Sequence, residues 1–551
     1  MKKIVLLFCG IIYSSICFSQ VPNWSWANRI SGSSGGSGDV GVSVTTDNNG
    51  NVIVVGQYTS PTISFGTLTL SNSSTNSEDV YIAKYSPSGT LIWAKTFGGN
   101  AYDYMSSVTT DNTGNIIFTG NFWSTNITFG SKTLTNYGGG NDGFVVKLDA
   151  LGTVLWANKI GGTSQDNCKG VKTDSNRNVI ITGEYGSAIC NFGTNSLSNM
   201  GSSDIYVAKY NETGDLIWAK RIAGTSNESS YDLTTDISDN VILTGSFGST
   251  TLSIDANNLS NTGVSSMFLI KLNSSGIYSW SKTWSGSSLD RGVSVATDNS
   301  GNVFLLGSYG DTSINFDGII LNCSYTSHAL VKYNSSGNIQ WAKTCSGGQN
   351  EGTSLSVDSQ GNSFVSGYFI CPQINFGTTL LNNSGGYDGV LVKYDSNGNE
   401  KWGKIVGGNL DEFAFKVVTD LNDNQVLIGK FMSSSISFGS ITITNAGTGS
   451  NSNQIFISKL NNANLNINEF QNENYFTIYP NPIYTESIIN FTEEQLNTKI
   501  EIIDILGNVI NSTLFNGNKF IIEKNDIKSG IYLLRLTNQN NDVITKKIIF
   551  N

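Results

Sequence analysis

The chain has 551 residues, a formal net charge of −10, 13% charged residues, 60 glycines and a single histidine. That acidic, thinly charged balance excludes nucleic acid as a partner, because phosphates are held by clustered Lys and Arg. No apolar run after the first residues reaches the length of a helical membrane span, and the abundance of Gly, Ser, Asn and Thr is the usage of a turn-rich all-β protein.

The chain opens with Lys2 and Lys3, an apolar stretch over 4–16, and Cys17-Phe18-Ser19. This predicts a signal peptide over 1–19, cleaved before Gln20. Export permits disulfides. Five cysteines remain beyond the leader: Cys168, Cys190, Cys323, Cys345 and Cys371. The number is odd, none recurs at one repeat position, and the absence of a C-x-x-C pair argues against zinc.

A segment of about 62 residues then repeats, marked by Trp26, Trp93, Trp156, Trp218, Trp280, Trp341 and Trp402. A fixed period of this size means a solenoid, a propeller or an array. In the first complete unit, 42–46 alternates as a strand and Asp47-Asn48-Asn49-Gly50-Asn51 is a tight turn, with Gly at the left-handed position. A second strand over 52–58, a longer stretch, a third strand over 80–85, a turn, and a fourth over 91–95 complete a four-stranded antiparallel blade. The turn Asp recurs at Asp111, Asp174, Asp236, Asp298, Asp358 and Asp420, and the third strand always holds a Lys, from Lys84 to Lys459. The turn Gly is replaced only by Arg177, Asp239 and Asp423. Trp26 precedes the first unit and the last unit ends without a Trp strand, so the strand near 24–30 is expected to complete the seventh blade. The predicted fold is a closed seven-bladed β-propeller over 20–465, which hides the edges an open array exposes.

These units resemble the β-propeller repeats known as SBBP, in segments such as TDNTGNIIFTGNF and DGFVVKLDALGTVLWANKIGG. The turn Thr213-Gly214-Asp215-Leu216-Ile217-Trp218 is similar to the tryptophan-docking motif of quinoprotein-like propellers. Those enzymes use a quinone, a calcium and often adjacent cysteines; no adjacent cysteine pair occurs here, so the cofactor does not follow. Sialidase Asp-boxes are a poorer match, with the Trp one residue too late.

After a linker over 466–475, the region 476–551 reads as a small Ig-like β-sandwich. Tyr479-Pro480-Asn481-Pro482, Asp504-Ile505-Leu506-Gly507-Asn508, Ser529-Gly530-Ile531-Tyr532 and the ending Lys546-Lys547-Ile548-Ile549-Phe550 occur in that order. The tail resembles the type A C-terminal sorting domain of the Bacteroidetes type IX secretion system. That resemblance implies recognition by the secretion machinery, removal at the outer membrane, and release or surface attachment of the cargo.

An acidic residue follows the Gly-rich link after each Trp strand: Asp39, Asp103, Asp166, Glu228, Asp290, Glu351 and Asp411. Asp79, Asp142, Asp204 and Asp388 should reach the same face. Two readings stand. In one, these carboxylates cap turns and pair with Lys on neighbouring strands. In the other they form a ring at the channel mouth that binds Ca²⁺, or a cationic or sugar ligand. The Asp-x-x-Gly-Asn segment lacks the ligand spacing of an EF-hand and reads as a hairpin turn. The repeated Trp reads as a packing anchor. Trp24, Trp123 and Trp284 break the repeat and are candidates for a carbohydrate-stacking surface, against burial. His328 reads as a surface-loop residue with no evident Ser or Cys partner. The expected function is a secreted or cell-surface propeller acting as a binding or adhesion module, with a glycan or protein ligand and no resident cofactor, Ca²⁺ being the one candidate. The competing expectation is a polysaccharide-acting hydrolase or lyase.

Overall fold

The computed structural model describes residues 22–33, 38–74, 77–447, 452–462, 476–504, 508–538 and 543–551. The expected signal peptide over 1–19 and the expected linker over 466–475 lie outside the described residues. The chain divides into two compact units, Met1–Asn462 and Ala463–Asn551. Every regular element among the described residues is a β-strand.

The first unit begins with β1 (Trp24–Gly32), β2 (Val40–Thr46), β3 (Val52–Tyr58), β4 (Thr62–Phe65), β5 (Leu68–Ser71), β6 (Asp79–Tyr85) and β7 (Leu91–Phe97). The sheet order is β2-β3-β6-β7, all antiparallel. β3 and β6 are buried on both faces, so they read as nearly unbroken apolar runs. β7, the outer strand, is only part-buried along its length, with Ile92 exposed. The long stretch between β3 and β6 folds into the hairpin β4–β5, with Gly66 at φ 70 in its turn. The same four-strand order recurs through the following repeats, each with its own hairpin. The final strands Glu412–Thr419, Gln425–Phe431 and Gln454–Leu460 take β1 as their fourth, with Trp26 opposite Lys459 and Ile30 opposite Ile455. The first strand of each repeat packs against that of the next, and Glu412–Thr419 packs back against β2. Hydroxyls lace this inner layer: Thr110 Oγ1 donates to the Thr46 carbonyl at 2.9 Å, Thr173 to Thr110 at 3.0 Å, Thr235 to Thr173 at 3.2 Å and Thr297 to Thr235 at 2.9 Å.

The recurring turn explains the recurring Asp and Lys. Asp47 Oδ1 accepts the backbone N–H of Asn49 and Asn51, and Oδ2 accepts the Asn51 amide and Lys84 Nζ, the last at 3.0 Å. The pair recurs in every repeat: Lys147–Asp111 at 2.9 Å, Lys209–Asp174, Lys271–Asp236 and Lys459–Asp420 at 2.8 Å, Lys332–Asp298 and Lys393–Asp358 at 3.5 Å. The ammonium also reaches the following repeat. Lys84 donates to the Ala150 carbonyl at 3.1 Å, Lys209 to Ser274 at 3.1 Å and Lys271 to Ser335 at 3.2 Å. The position before Asn is left-handed throughout, with Gly50 at φ 73 and its replacements Arg177, Asp239 and Asp423 at 64, 59 and 60.

The repeated Trp docks on the next repeat's turn. Trp26 Nε1 donates to the Pro87 carbonyl and Trp156 Nε1 to Glu212, both at 3.0 Å. A Cβ on Gly89 would lie 2.7 Å from Trp26, on Gly214 2.8 Å from Trp156, and on Gly398 2.7 Å from Trp341. Only a residue without a side chain lets the indole approach so closely.

In the tail, Glu486–Ile503 is the central strand, pairing with Phe476–Tyr479, Val509–Glu523 and Gly530–Thr537, and Val543–Phe550 closes the edge. Hydrogen bonding gives one five-stranded sheet rather than the two sheets of the expected sandwich. The reason is local: Glu486–Ile503 pairs with Phe476–Tyr479 along its first half and with Gly530–Thr537 along its second, so one continuous strand joins what would otherwise be two sheets. The core is Phe476, Ile489, Ile500, Leu534, Ile548 and Phe550, among others.

Lys147 is 2% exposed and bonded to Asp111. Lys147→Met should destabilise the first compact unit by about 3–5 kcal/mol, since it strands a buried carboxylate. The double variant Asp111→Asn/Lys147→Met should lose clearly less than the sum of the two single variants. Thermal and denaturant unfolding of the four proteins checks this, and additive losses would show that the two groups do not act as a pair.

Candidate functional site

The Gly-rich links all enter at the same end of the sheets, and there the structure places the predicted acidic residues. Asp39, Asp103, Asp166, Glu228 and Asp290 are each at most 1% exposed. Asp103 Oδ2 accepts Ser124 Oγ at 2.8 Å and Gly99 N–H at 2.9 Å; Asp166 Oδ2 accepts Ser187 Oγ and Gly162 N–H, both at 2.6 Å. Asp39 and Glu228 hold Ser60 and Ser249 in the same way. Each carboxylate thus binds the loop that leaves its own second strand. Asp79, Asp142, Asp204 and Asp388 are buried too, and accept backbone N–H groups of Ser73, Tyr137, Met200 and Ser384. Among the described residues, no group of three His, Cys, Asp or Glu side chains converges as a metal site.

Two positions need correction. The residue paired with the aromatic end of the second strand is Asn350 in the sixth repeat and Glu412 in the seventh, opposite Phe369 and Phe431. Glu351 and Asp411 stand one place away from that register. In the sixth repeat the link is one residue shorter than in the second to fifth, which shifts the strand start; in the seventh the link has the common length and Asp411 is an acidic residue directly before the in-register Glu412.

The displaced pair marks the strongest break in the repeat's symmetry. Glu351 Oε2 accepts the Tyr368 hydroxyl at 2.7 Å, and Oε1 is paired with Arg291. Asp411 Oδ1 accepts the Tyr387 N–H at 3.0 Å. Tyr368 packs edge-on to Tyr387 at 5.6 Å and to Phe413 at 4.9 Å, and Phe413 lies parallel to Phe415 at 6.0 Å. Lys430 Nζ sits 4.9 Å from the Phe413 ring centre. All four rings are half-buried. At the Tyr368 position the other repeats carry Gln57, Asn121, Glu184, Ser246, Ser308 and Lys430; at the Phe415 position they carry Val42, Ser106, Lys169, Tyr231, Val293 and Thr353. A column-by-column comparison of the repeats would have exposed this cluster; the search for what is constant passed over it.

Other expectations also change. His328 is not on a loop: it lies in the strand Ser327–Tyr333, 3% exposed. Its Nδ1 is 2.7 Å from Asn350 Oδ1 and 3.7 Å from Cys345 Sγ, so a Cys neighbour exists. Cys, His and Asn together have the composition of a thiol nucleophile's site. Burial pushes the Cys345 thiol up to about 11 and lowers His328, which disfavours the thiolate such chemistry needs. Trp284 is 4% exposed, and Trp24 is half-buried with its edge against Phe438; Trp123 is 43% exposed. The five cysteines are free thiols.

In the tail, the predicted sorting residues gather at the last strand. Asn481 Oδ1 accepts the Ile549 N–H at 2.9 Å and its amide donates to the Lys547 carbonyl at 3.2 Å, which clips the Pro480-Asn481-Pro482 turn to that strand. Gly530 is paired with Phe550, and the Tyr532 ring meets Phe550 edge-on at 5.4 Å. Lys546 and Lys547 are exposed. Asp504 accepts the Asn508 N–H at 2.8 Å and its amide at 2.9 Å, the bonding of the Asp47–Asn51 turn.

The carboxylates fall into two classes that respond oppositely to pH. Burial raises Asp103, Asp142, Asp290 and Glu78 to about 7. For Asp47 and Asp111 burial pushes upward as well, but the Asn amide, the Lys ammonium and backbone N–H groups overcome it and hold them below the usual range. Between about pH 4 and 7 the unfolded chain has released protons that the raised group keeps, so folded stability falls as pH rises. Below about pH 4 the lowered class reverses the slope. The chain should therefore melt higher at pH 5 than at pH 7.5, and Asp103→Asn should flatten that difference. A melting temperature that climbs steadily from pH 5 to 7.5 would contradict this assignment.

Residues 477–551 match the family described as the secretion system C-terminal sorting domain. An uncharacterized WD repeat-containing protein of Acanthamoeba polyphaga mimivirus is 27% identical over 492 residues, covering 72% of this chain and 35% of that protein. The chain thus spans about a third of that relative's length. Among solved structures, PorZ, an essential bacterial surface component of the type-IX secretion system of Porphyromonas gingivalis, is 8% identical over 95% of this chain and all of its own, with a TM-score of 0.18. The phage phi92 endosialidase is 10% identical over 95% of this chain and 87% of its own, with a TM-score of 0.39. Scores of this size carry no argument about shared fold or activity. The matched tail does: the chain ends in a type IX sorting domain.

Proposed function

We propose that this protein is a closed seven-bladed β-propeller carried to the outer surface or the medium by its sorting domain, where it acts as a binding module for saccharides. The export half rests on the matched tail, whose sorting motifs converge on one exposed strand. Closure is supported by the pairing of β1 with Gln454–Leu460 and by the packing of the seventh inner strand on β2. The binding half rests on one observation: four half-buried aromatic rings, Tyr368, Tyr387, Phe413 and Phe415, gather at the link end of the sixth and seventh repeats, beside Glu351, Arg291 and Lys430. Aromatic faces take the C–H faces of sugar rings, and nearby charged and amide groups take their hydroxyls. Such a mix of apolar wall and few convergent polar groups is the usual make-up of a ligand site.

Removing 476–551 should leave the protein in the periplasm, and fusing 476–551 to a foreign exported protein should bring that protein to the surface or the medium. Cell fractionation reads both outcomes, and normal export of the tailless chain would refute the sorting role.

On a glycan array, the mature full-length protein should retain saccharides that the double variant Tyr368→Ser/Phe413→Ser does not, with unchanged unfolding of the rest of the chain. Equal retention by the two proteins would move the ligand surface elsewhere.

A further inference from the structure

The inner strands enclose a cavity of about 180 Å³ lined by Ser107, Lys172, Asp232, Ser356 and Lys416 among other residues. Most repeats put small residues here. At the level of Asp232 and Lys416 the others carry Ser43, Ser107, Gly170, Ser294 and Ser354; at the level of Lys172 they carry Thr45, Thr109, Thr234, Ala296, Ser356 and Val418. The sheets therefore form and pack without charge at these positions. Three charged residues have nonetheless been placed there, from the third, fourth and seventh repeats.

Their partners do not balance. Asp232 is satisfied: Oδ2 accepts Ser294 Oγ at 2.6 Å and the Val295 N–H at 3.1 Å, and Oδ1 accepts the Leu233 N–H at 3.0 Å. Lys416 Nζ reaches Asp232 Oδ2 only at 3.8 Å, the outer limit of an ion pair. The backbone of Lys172 pairs with Ile180, but its ammonium has neither an ion pair nor a hydrogen bond among the described residues. Burial lowers its pKa, and Asp232 offsets part of that effect. Two ammonium groups thus face a cavity with one carboxylate already engaged by three other donors. Both side chains are only partly buried, Lys416 to the point of 26% exposure, but two like charges facing one confined cavity repel each other, so residues that the repeat does not need are kept at a cost to the fold unless an anion pairs with both.

We propose that this axial cavity is an anion site, in which Lys172 and Lys416 together hold one carboxylate- or phosphate-bearing ligand while hydroxyls such as Ser107 and Ser356 take its remaining oxygens. The cavity volume suits a small anion or a single acidic sugar residue. The site is separate from the aromatic cluster and does not depend on the saccharide reading.

The test is calorimetric melting of the mature chain at constant ionic strength, with inorganic phosphate in one arm, glucuronate in a second, and glucose and chloride as controls. A ligand that binds only the folded state raises the melting temperature in a saturable way. We expect such a rise with phosphate or glucuronate and none with the controls; which arm responds tells phosphate from carboxylate. Lys172→Thr restores the residue of three other repeats and should weaken the response at least about tenfold, since it removes one of two direct charge partners. Its melting temperature without anion should equal or exceed that of the parent. The triple variant Lys172→Thr/Asp232→Ser/Lys416→Ser, which restores the repeat residue at all three positions, should show no response and decides the matter if the single variant folds poorly. Lys132→Thr, at an exposed hairpin, should respond like the parent. The proposal is overturned if neither anion gives a saturable rise, or if the triple variant responds like the parent, which would mean an adventitious ion only.

Discussion

One buried contact holds the repeat together: the turn carboxylate paired with the third-strand lysine. It does three jobs at once. The carboxylate closes the turn by accepting two backbone N–H groups, the ammonium ties that turn to a strand 37 residues away in the first repeat, and its remaining hydrogens reach the next repeat. A buried ion pair is rarely a large source of stability by itself. Here it works as a register pin, because neither partner can move by one residue without leaving a charge unpaired. The apolar strands around it could slide; the pair cannot.

Much of this was legible in the sequence because each feature occurs seven times. The Asp, Asn, Gly and Lys columns gave the strands and turns directly, and the left-handed turn position was confirmed even where Arg177 stands in place of glycine. The hairpin between second and third strands was seen only as a longer stretch, since Ile63-Ser64-Phe65-Gly66 is too short to show a period. The acidic column is displaced in the sixth repeat because its link is one residue shorter, and in the seventh because two acids, Asp411 and Glu412, stand side by side. His328 was misread because a polar residue on a strand buried on both faces looks like a loop residue until its partner, Asn350, is known.

The candidate sites were the least legible part, for a physical reason. Symmetry builds the scaffold, so whatever a single ligand needs must depart from symmetry. Tyr368, Tyr387 and Phe413 come from two strands, one loop and two repeats, and meet only after folding. Lys172, Asp232 and Lys416 lie still farther apart in the chain. The constant columns report how the sheets stand; the exceptions report what they could be for.

The junction between β1 and Gln454–Leu460 has a mechanical side. Trp24 lies opposite Leu460, and the Asn461 N–H bonds to the Asn23 carbonyl at 3.0 Å, so both ends of the first compact unit leave from the same end of one antiparallel pair. Tension between those ends loads the hydrogen bonds one after another, as in a zip, rather than all together in shear. Among the described residues, Trp402 is also the one repeated tryptophan with no glycine turn against its ring. The seam is therefore where a pull on the two ends of this unit would first open it, while the other junctions, each a covalent turn with a docked indole, would carry little of the load.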